Sequence, residues 1–234
     1  MSVKDWLKVK ILGYRATSDS YIAYLKKIGV SVGTGVKIYR PYNTTIDIQA
    51  PHLLSIGDYV QITGPATILN HDYSWSVIKR KYGYIYGNQR KTVIGNNVFI
   101  GWGATILGGS TIGDNVIIGA NSVVSGVIDS NSVYAGNPAE KLMTIDEYYN
   151  KRKSNQLKEA VDFVIEYKKR FGKIPPEEKL DEYFFLFKPT CLNKKFKSQM
   201  TLMDNYIKTK EKLDQSYYFS SYEDFIDYCL SKRD

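Results

Sequence analysis

The chain holds two histidines, His52 and His71, and His71 stands where an imidazole can do chemistry. It lies three residues after Ile68, a spacing that elsewhere carries Gly or Asn. It also immediately precedes a segment rich in aromatics and cations, DYSWSVIKRKYGYIYGNQRKT, residues 72–92. An imidazole at such a corner can take a proton from a hydroxyl nucleophile near neutral pH, and general-base catalysis of that kind contributes about 10²- to 10⁴-fold. His52 follows Pro51 in a less regular stretch and reads as structural. Cys191 and Cys229 lie far from this region and no G-x-S-x-G elbow is present, so the chain offers no Cys or Ser nucleophile of its own.

The elements that must position His71 follow from a period of six. Ile94, Ile100, Ile106, Ile112, Ile118 and Val124 recur at that spacing, which fits neither a helix nor plain strand alternation and predicts a coil of short strands joined by tight turns. Three residues after each comes Asn97, Gly103, Gly109, Asn115 or Asn121, residue types that accept a positive φ, with Val127 the exception. Small or aliphatic residues four positions on (Val98, Ala104, Ser110, Val116, Ser122, Ile128) can share the interior. The same register begins at Val32 and Ile38, weakens at Thr44 and Ala50, and resumes at Ile56, Ile62 and Ile68. From Ile68 to Ile94 the spacing is 26, not a multiple of six, so residues 72–92 leave the coil as a loop.

Around this coil the sequence reads as helical. Ser18 to Ile28, stopped by Gly29, predicts a short capping helix. After the turn-rich exit Ala135-Gly136-Asn137-Pro138-Ala139, helices are expected over Ile145 to Arg170, Glu177 to Phe187 and Tyr222 to Leu230. The predicted organisation is a helical cap over residues 1–29, a repeat domain over 30–143 and a helical extension over 144–234. The alternating start, Met1 to Gly13, lacks the apolar run of a signal peptide and no stretch approaches a membrane span, so a cytoplasmic protein without stable membrane insertion is expected. The net charge of +8 is scattered and does not form a phosphate-tracking stripe, which argues against nucleic acid.

The runs VIGNNVFIG (93–101), ATIL (104–107), TIGDNVIIGA (111–120) and AGNPA (135–139) resemble the hexapeptide-repeat acetyltransferases, and within them the bacterial sugar and capsular-polysaccharide O-acetyltransferases. The resemblance covers Val30 to Lys141. It implies a left-handed parallel β-helix, a homotrimer, and acetyl-CoA as co-substrate in the groove between neighbouring prisms. It also implies that His71 is the catalytic base, in Asn70-His71-Asp72. Phe99, Trp102, Ala104, Ala120, Ser125, Asn137 and Pro138 fall at donor-binding positions. Lys141 stands in for the cation that the family places directly after Pro-Ala, where this chain has Glu140. Trp102 and Ala120, 18 apart, are expected to stack on successive coils. Asn43 resembles an acceptor-binding Asn, and Asn70, Asp72, Trp75, Lys79, Arg80 and Tyr84 are further candidates to meet a sugar, whose apolar face suits aromatic rings and whose acidic groups suit cations.

The function implied is transfer of an acetyl group to a sugar hydroxyl of a surface polysaccharide or its precursor. Transfer to an amine of an amino sugar or antibiotic, and a non-catalytic trimeric scaffold, are the alternatives. A zinc hydratase on a similar coil would need about three histidines per site, and two per chain do not supply them, so no metal is expected.

Overall fold

The computed structural model describes residues 10–215 and 217–232, in two units, Met1–Tyr148 and Tyr149–Asp234. Most of the alternating N-terminal stretch, residues 1–9, lies outside the described residues.

In the first unit the hexads become short strands that visit three sheets in rotation. Ser31–Val32, Lys37–Ile38 and Thr45–Ile46 begin the three sheets, and Leu54–Ile56, Gln61–Ile62 and Thr67–Ile68 pair onto the same sheets in the same order. Thr92–Ile94, Val98–Ile100 and Thr105–Ile106 form the next coil, followed by Thr111–Ile112, Val116–Ile118 and Val123–Val124. All these pairings are parallel, which makes a three-sided parallel β-coil. The register stacks the repeat aliphatics into interior columns: Ile38, Ile62, Ile100 and Ile118; Ile46, Ile68, Ile106 and Val124; Ile56, Ile94, Ile112 and Ile128. All are buried, and burying each such side chain contributes about 1.5–3 kcal/mol.

The corners obey the predicted turn chemistry. Asn97, Gly103, Gly109, Asn115 and Asn121 all have positive φ. The Asn97 side-chain amide donates to Asn115 Oδ1 (2.8 Å) and that of Asn115 to Asn131 Oδ1 (2.9 Å), so one corner is stitched from coil to coil. Val127 breaks the pattern because the preceding turn is short. Gly126 makes it (φ 76°), Val127 opens the strand Val127–Ile128, and Ile128 takes the column position itself.

One expectation about the coil needs correction. The strand aliphatic of the weak coil is Ile46, paired with Ile68, and not Thr44. Short 3₁₀ turns at Pro41–Asn43 and Pro51–Leu53 absorb extra residues, so Ile38 to Ile46 is eight and Ile46 to Ile56 ten. The excesses of two and four sum to one hexad, which restores the register beyond and hides the shift. The exit Ala135 to Ala139 is the turn of a hairpin, in which Glu140–Thr144 pairs antiparallel with Ser132–Ala135 and covers that sheet edge.

The interruption after His71 is an ordered arm. His71–Asp72 pairs antiparallel with Asn88–Gln89, and Trp75–Tyr82 between them is a helix ended by Gly83 (φ 81°), whose N–H donates to Lys79 O at 2.9 Å. Lys79, Arg80 and Lys81 in the last turn complement the helix dipole. Thr92 belongs to the coil, buried in the strand Thr92–Ile94 and paired with Leu54. At the other end, the helix Ser18–Lys27 is held by a reciprocal cap between Thr17 and Ser20 and seats Tyr21 and Leu25 in the coil's apolar core.

The second unit gathers Val164, Phe184, Phe187, Phe196, Met200 and Phe225 into its own core. Its helices are Lys194–Thr201, Tyr206–Leu213, Tyr222–Ser231 and all but the first turn of Ile145–Phe171. The expected helix over Glu177 to Phe187 is absent; only Glu177–Lys179 forms a 3₁₀ turn. Phe184, Leu186 and Phe187 are all buried, a spacing that one face of a helix cannot serve. Cys229 sits in this core, and burial pushes its thiol up to about 12.

Candidate active site

His71 is the residue at which the coil turns outward into the arm. The coil beneath supplies Asp47, the residue after the column position Ile46. Its N–H donates to Ile68 O at 2.9 Å, which fixes it one layer below the His71 corner. Asp47 Oδ2 accepts from His71 Nδ1 and from the backbone N–H groups of Asn70 (3.1 Å) and His71 (3.2 Å), while Oδ1 accepts from Gln49 N–H (3.0 Å). Burial alone would raise the Asp47 carboxyl, but hydrogen bonds from Gln49, His71 and Asn70 outweigh it and hold the group below the usual carboxylate range. An ionised carboxylate only accepts, so Nδ1 carries the proton and Nε2 keeps its lone pair in the neutral ring. The side chain of Asp47 is 4 % exposed and that of His71 22 %, an arrangement with a sheltered orienting group and an accessible imidazole edge.

His71 opens onto a small cleft of about 90 Å³ lined also by Leu69, Asp72, Asn88, Arg90, Leu107 and Gly108. Asp72 is committed to its own turn. It accepts from the Ser74 hydroxyl (2.5 Å), from Ser74 N–H (3.0 Å) and from the Asn88 amide, contacts that hold its carboxyl below the usual range. Arg90 is anchored by its N–H to Asn70 O (2.8 Å), and its side chain runs along Gly109, where any Cβ would lie about 3.1 Å from Arg90 Cδ.

Of the expected acceptor residues, the structure brings only Asp72 to the cleft. Trp75, Lys79 and Arg80 lie on the arm helix and Tyr84 beyond it, and none lines the cleft. Asn43 ends an exposed 3₁₀ turn. Asn70 is fully buried behind His71, and its amide donates to Ala50 O at 2.7 Å. Asp47, Asn88 and Arg90 were not anticipated.

Among the donor candidates, Phe99 and Trp102 are exposed, with the Arg40 guanidinium 4.5 Å from the Trp102 ring centroid. Asn121 N–H donates to Trp102 O at 2.7 Å, and a Cβ on Gly101 would lie 2.6 Å from Ala120 N, so Trp102 and Ala120 do occupy stacked corners. Ala120, Ser125, Asn137 and Pro138 are exposed, whereas Ala104 is fully buried and its side chain is closed to any ligand. Lys141 Nζ lies 3.4 Å from Asp129 Oδ2. Among the described residues no group of three or more His, Cys, Asp or Glu could hold a metal ion, and no helix is long and apolar enough to cross a membrane.

Residues 91–126 match the bacterial transferase hexapeptide family (six repeats). Over 127 residues the chain is 38% identical to Protein CapG of Staphylococcus aureus, covering 54% of this chain and 73% of that one. It is 35% identical over 119 residues to the galactoside O-acetyltransferase of Escherichia coli, covering 51% of this chain and 57% of the relative. A solved hexapeptide-repeat acetyltransferase from Vibrio cholerae superposes with a TM-score of 0.44 at 20% identity, over 59% of this chain and 86% of that one. The chain belongs to the hexapeptide-repeat transferases.

Proposed function

We propose that this transferase is an acetyl-CoA-dependent O-acetyltransferase acting on a sugar hydroxyl of a surface polysaccharide or its precursor. The observation that carries the reading is the Asp47–His71 pair at the mouth of a cleft. An acceptor hydroxyl bound to Nε2 of His71 gives up its proton as its oxygen attacks the thioester carbonyl. The new C–O bond forms, the C–S bond breaks, and the proton passes from Nε2 to the departing thiolate of coenzyme A. Asp47 stabilises the transient imidazolium and holds the ring in the required tautomer. The galactoside acetyltransferase named above supports the acetyl group and the sugar hydroxyl.

In this reading the coil is left-handed, as the family resemblance implies, and three copies assemble so that the donor lies between neighbouring coils. Phe99 and Trp102 would flank the pantetheine arm, with Ala120, Ser125, Asn137 and Pro138 along the same strip. Lys141 would have to leave Asp129 to meet the phosphates. The enzyme works in the cytoplasm, where acetyl-CoA is made.

The test is product analysis. Acetyl-CoA is supplied with panels of hydroxyl-bearing and amine-bearing sugars, and the products are sorted by alkali. Base-labile acetyl esters on a sugar are expected. Alkali-stable amides as the main product, or no acetyl-CoA binding by calorimetry, would overturn the reading.

A further inference from the structure

A cavity of about 710 Å³ lies within the second unit alone and has no part in the transfer site. Its lining is chemically mixed in a particular way. Tyr149, Tyr183 and Tyr218 supply aromatic faces, and Tyr149 and Tyr218 are 62% and 65% exposed, so the core does not claim them. Lys153, Lys208 and Lys212 supply positive charge, and among the described residues none of the three makes an ion pair. Lys208 and Lys212 stand four apart on the helix Tyr206–Leu213, an arrangement in which like charges repel, while Lys210 on the same helix is neutralised by Asp214 at 2.7 Å. Arg152 also lines the cavity, but it is engaged by Glu159.

We propose that this cavity is a second binding site, for an anionic oligosaccharide. Exposed tyrosine rings suit the C–H face of a pyranose, and the lysines suit carboxylates spaced along a glycan. Gln156 and Asn205 in the same lining offer the paired donors and acceptors that read hydroxyls. Glu182 decides between polymers: a nucleic acid carries a phosphate at every residue and would face repulsion there, whereas an acidic glycan can set a neutral hydroxyl-bearing sugar against it. The sugar character of the ligand rests on the function proposed above. Where that acceptor is the polysaccharide itself, holding it elsewhere on the same chain raises its concentration at His71.

The experiment uses the full chain without acetyl-CoA and galacturonic acid oligomers as the probe, with malto-oligosaccharides and poly(dT) as comparisons, by calorimetry. Acidic oligomers should bind, with neutral ones at least about tenfold weaker. The pairs Tyr149→Ala with Tyr218→Ala, and Lys208→Gln with Lys212→Gln, should each weaken binding about tenfold or more. The lysine pair guards against misfolding in the tyrosine pair, since both lysines are exposed. His71→Ala should bind the oligomers as wild type does. In transfer assays the paired variants should raise KM for a polymeric acceptor and leave kcat and small acceptors unchanged. Absence of oligomer binding, binding indifferent to both pairs, or preference for poly(dT) overturns the proposal. Binding that persists in a chain unable to transfer acetyl would count against the activity and not against this site.

Discussion

Asp47 grips His71 twice, accepting from the ring at Nδ1 and from the backbone N–H at 3.2 Å with the same oxygen. Ring orientation and corner geometry are thus set by a single carboxylate on the coil below, and the imidazole has one nitrogen left for an acceptor.

Replacing His71 by Ala should lower kcat by about 10²- to 10⁴-fold. Acetyl-CoA affinity, measured by calorimetry, should change little, because the donor candidates lie on later coils. His52→Ala, in the exposed part of a 3₁₀ turn, should match wild type. Near-normal turnover by His71→Ala would refute the assignment of the base.

Asp47→Asn keeps the shape but replaces an obligate acceptor with an amide that can turn either its oxygen or its NH₂ toward the ring. The Nδ1–H tautomer, with Nε2 free to accept, is no longer enforced, and kcat should fall by about 10²-fold or more with KM for acetyl-CoA unchanged. Steady-state kinetics on a variant with a wild-type circular dichroism spectrum is the check.

Acid should unfold the coil through the same residue. Asp47, Asp58 and Asp72 are held below the usual carboxylate range, so their contributions to stability are complete above about pH 5 and drain away as pH falls through about 4. Tm measured against pH should be level at the higher values and drop on the acid side, and Asp47→Asn should make that drop shallower. An unchanged acid slope would show that Asp47 carries none of it.

Asn70→Ala separates a strut from a substrate contact. Losing the amide removes one of the two hydrogen bonds to Ala50 O, which keeps the Leu53 N–H at 2.9 Å, at a cost of about 0.5–1.5 kcal/mol, visible as a lowered denaturation midpoint. KM for the sugar should stay as in wild type at a temperature where the variant is folded.

If the donor groove lies between copies, light scattering at micromolar concentration should give three times the chain mass. A monomer with full activity would refute that arrangement.

Much of the coil was legible because its rules are local. A residue such as Asn97 or Asn115 must accept positive φ wherever the chain turns, and Ile100 or Ile118 must fill an interior column, so six-residue spacing displays both. Asp47 was not legible. Its meeting with His71 depends on how two 3₁₀ turns use up spare residues, and the hexad count placed Thr44, not Ile46, on the strand. The local alternation Thr45-Ile46-Asp47-Ile48 was the available signal. The arm helix was hidden by its brevity, and Arg90 gains its place beside His71 only when the arm returns to pair with the coil.

Ile68 still pairs with Ile106 although the arm adds 20 residues beyond one hexad between Ile68 and Ile94, since 26 less 6 is 20. The ladder is blind to whatever is spliced in at that junction. A lineage can therefore lengthen, shorten or exchange the arm and so retune which acceptor reaches the imidazole, while the folding problem solved by the coil stays the same.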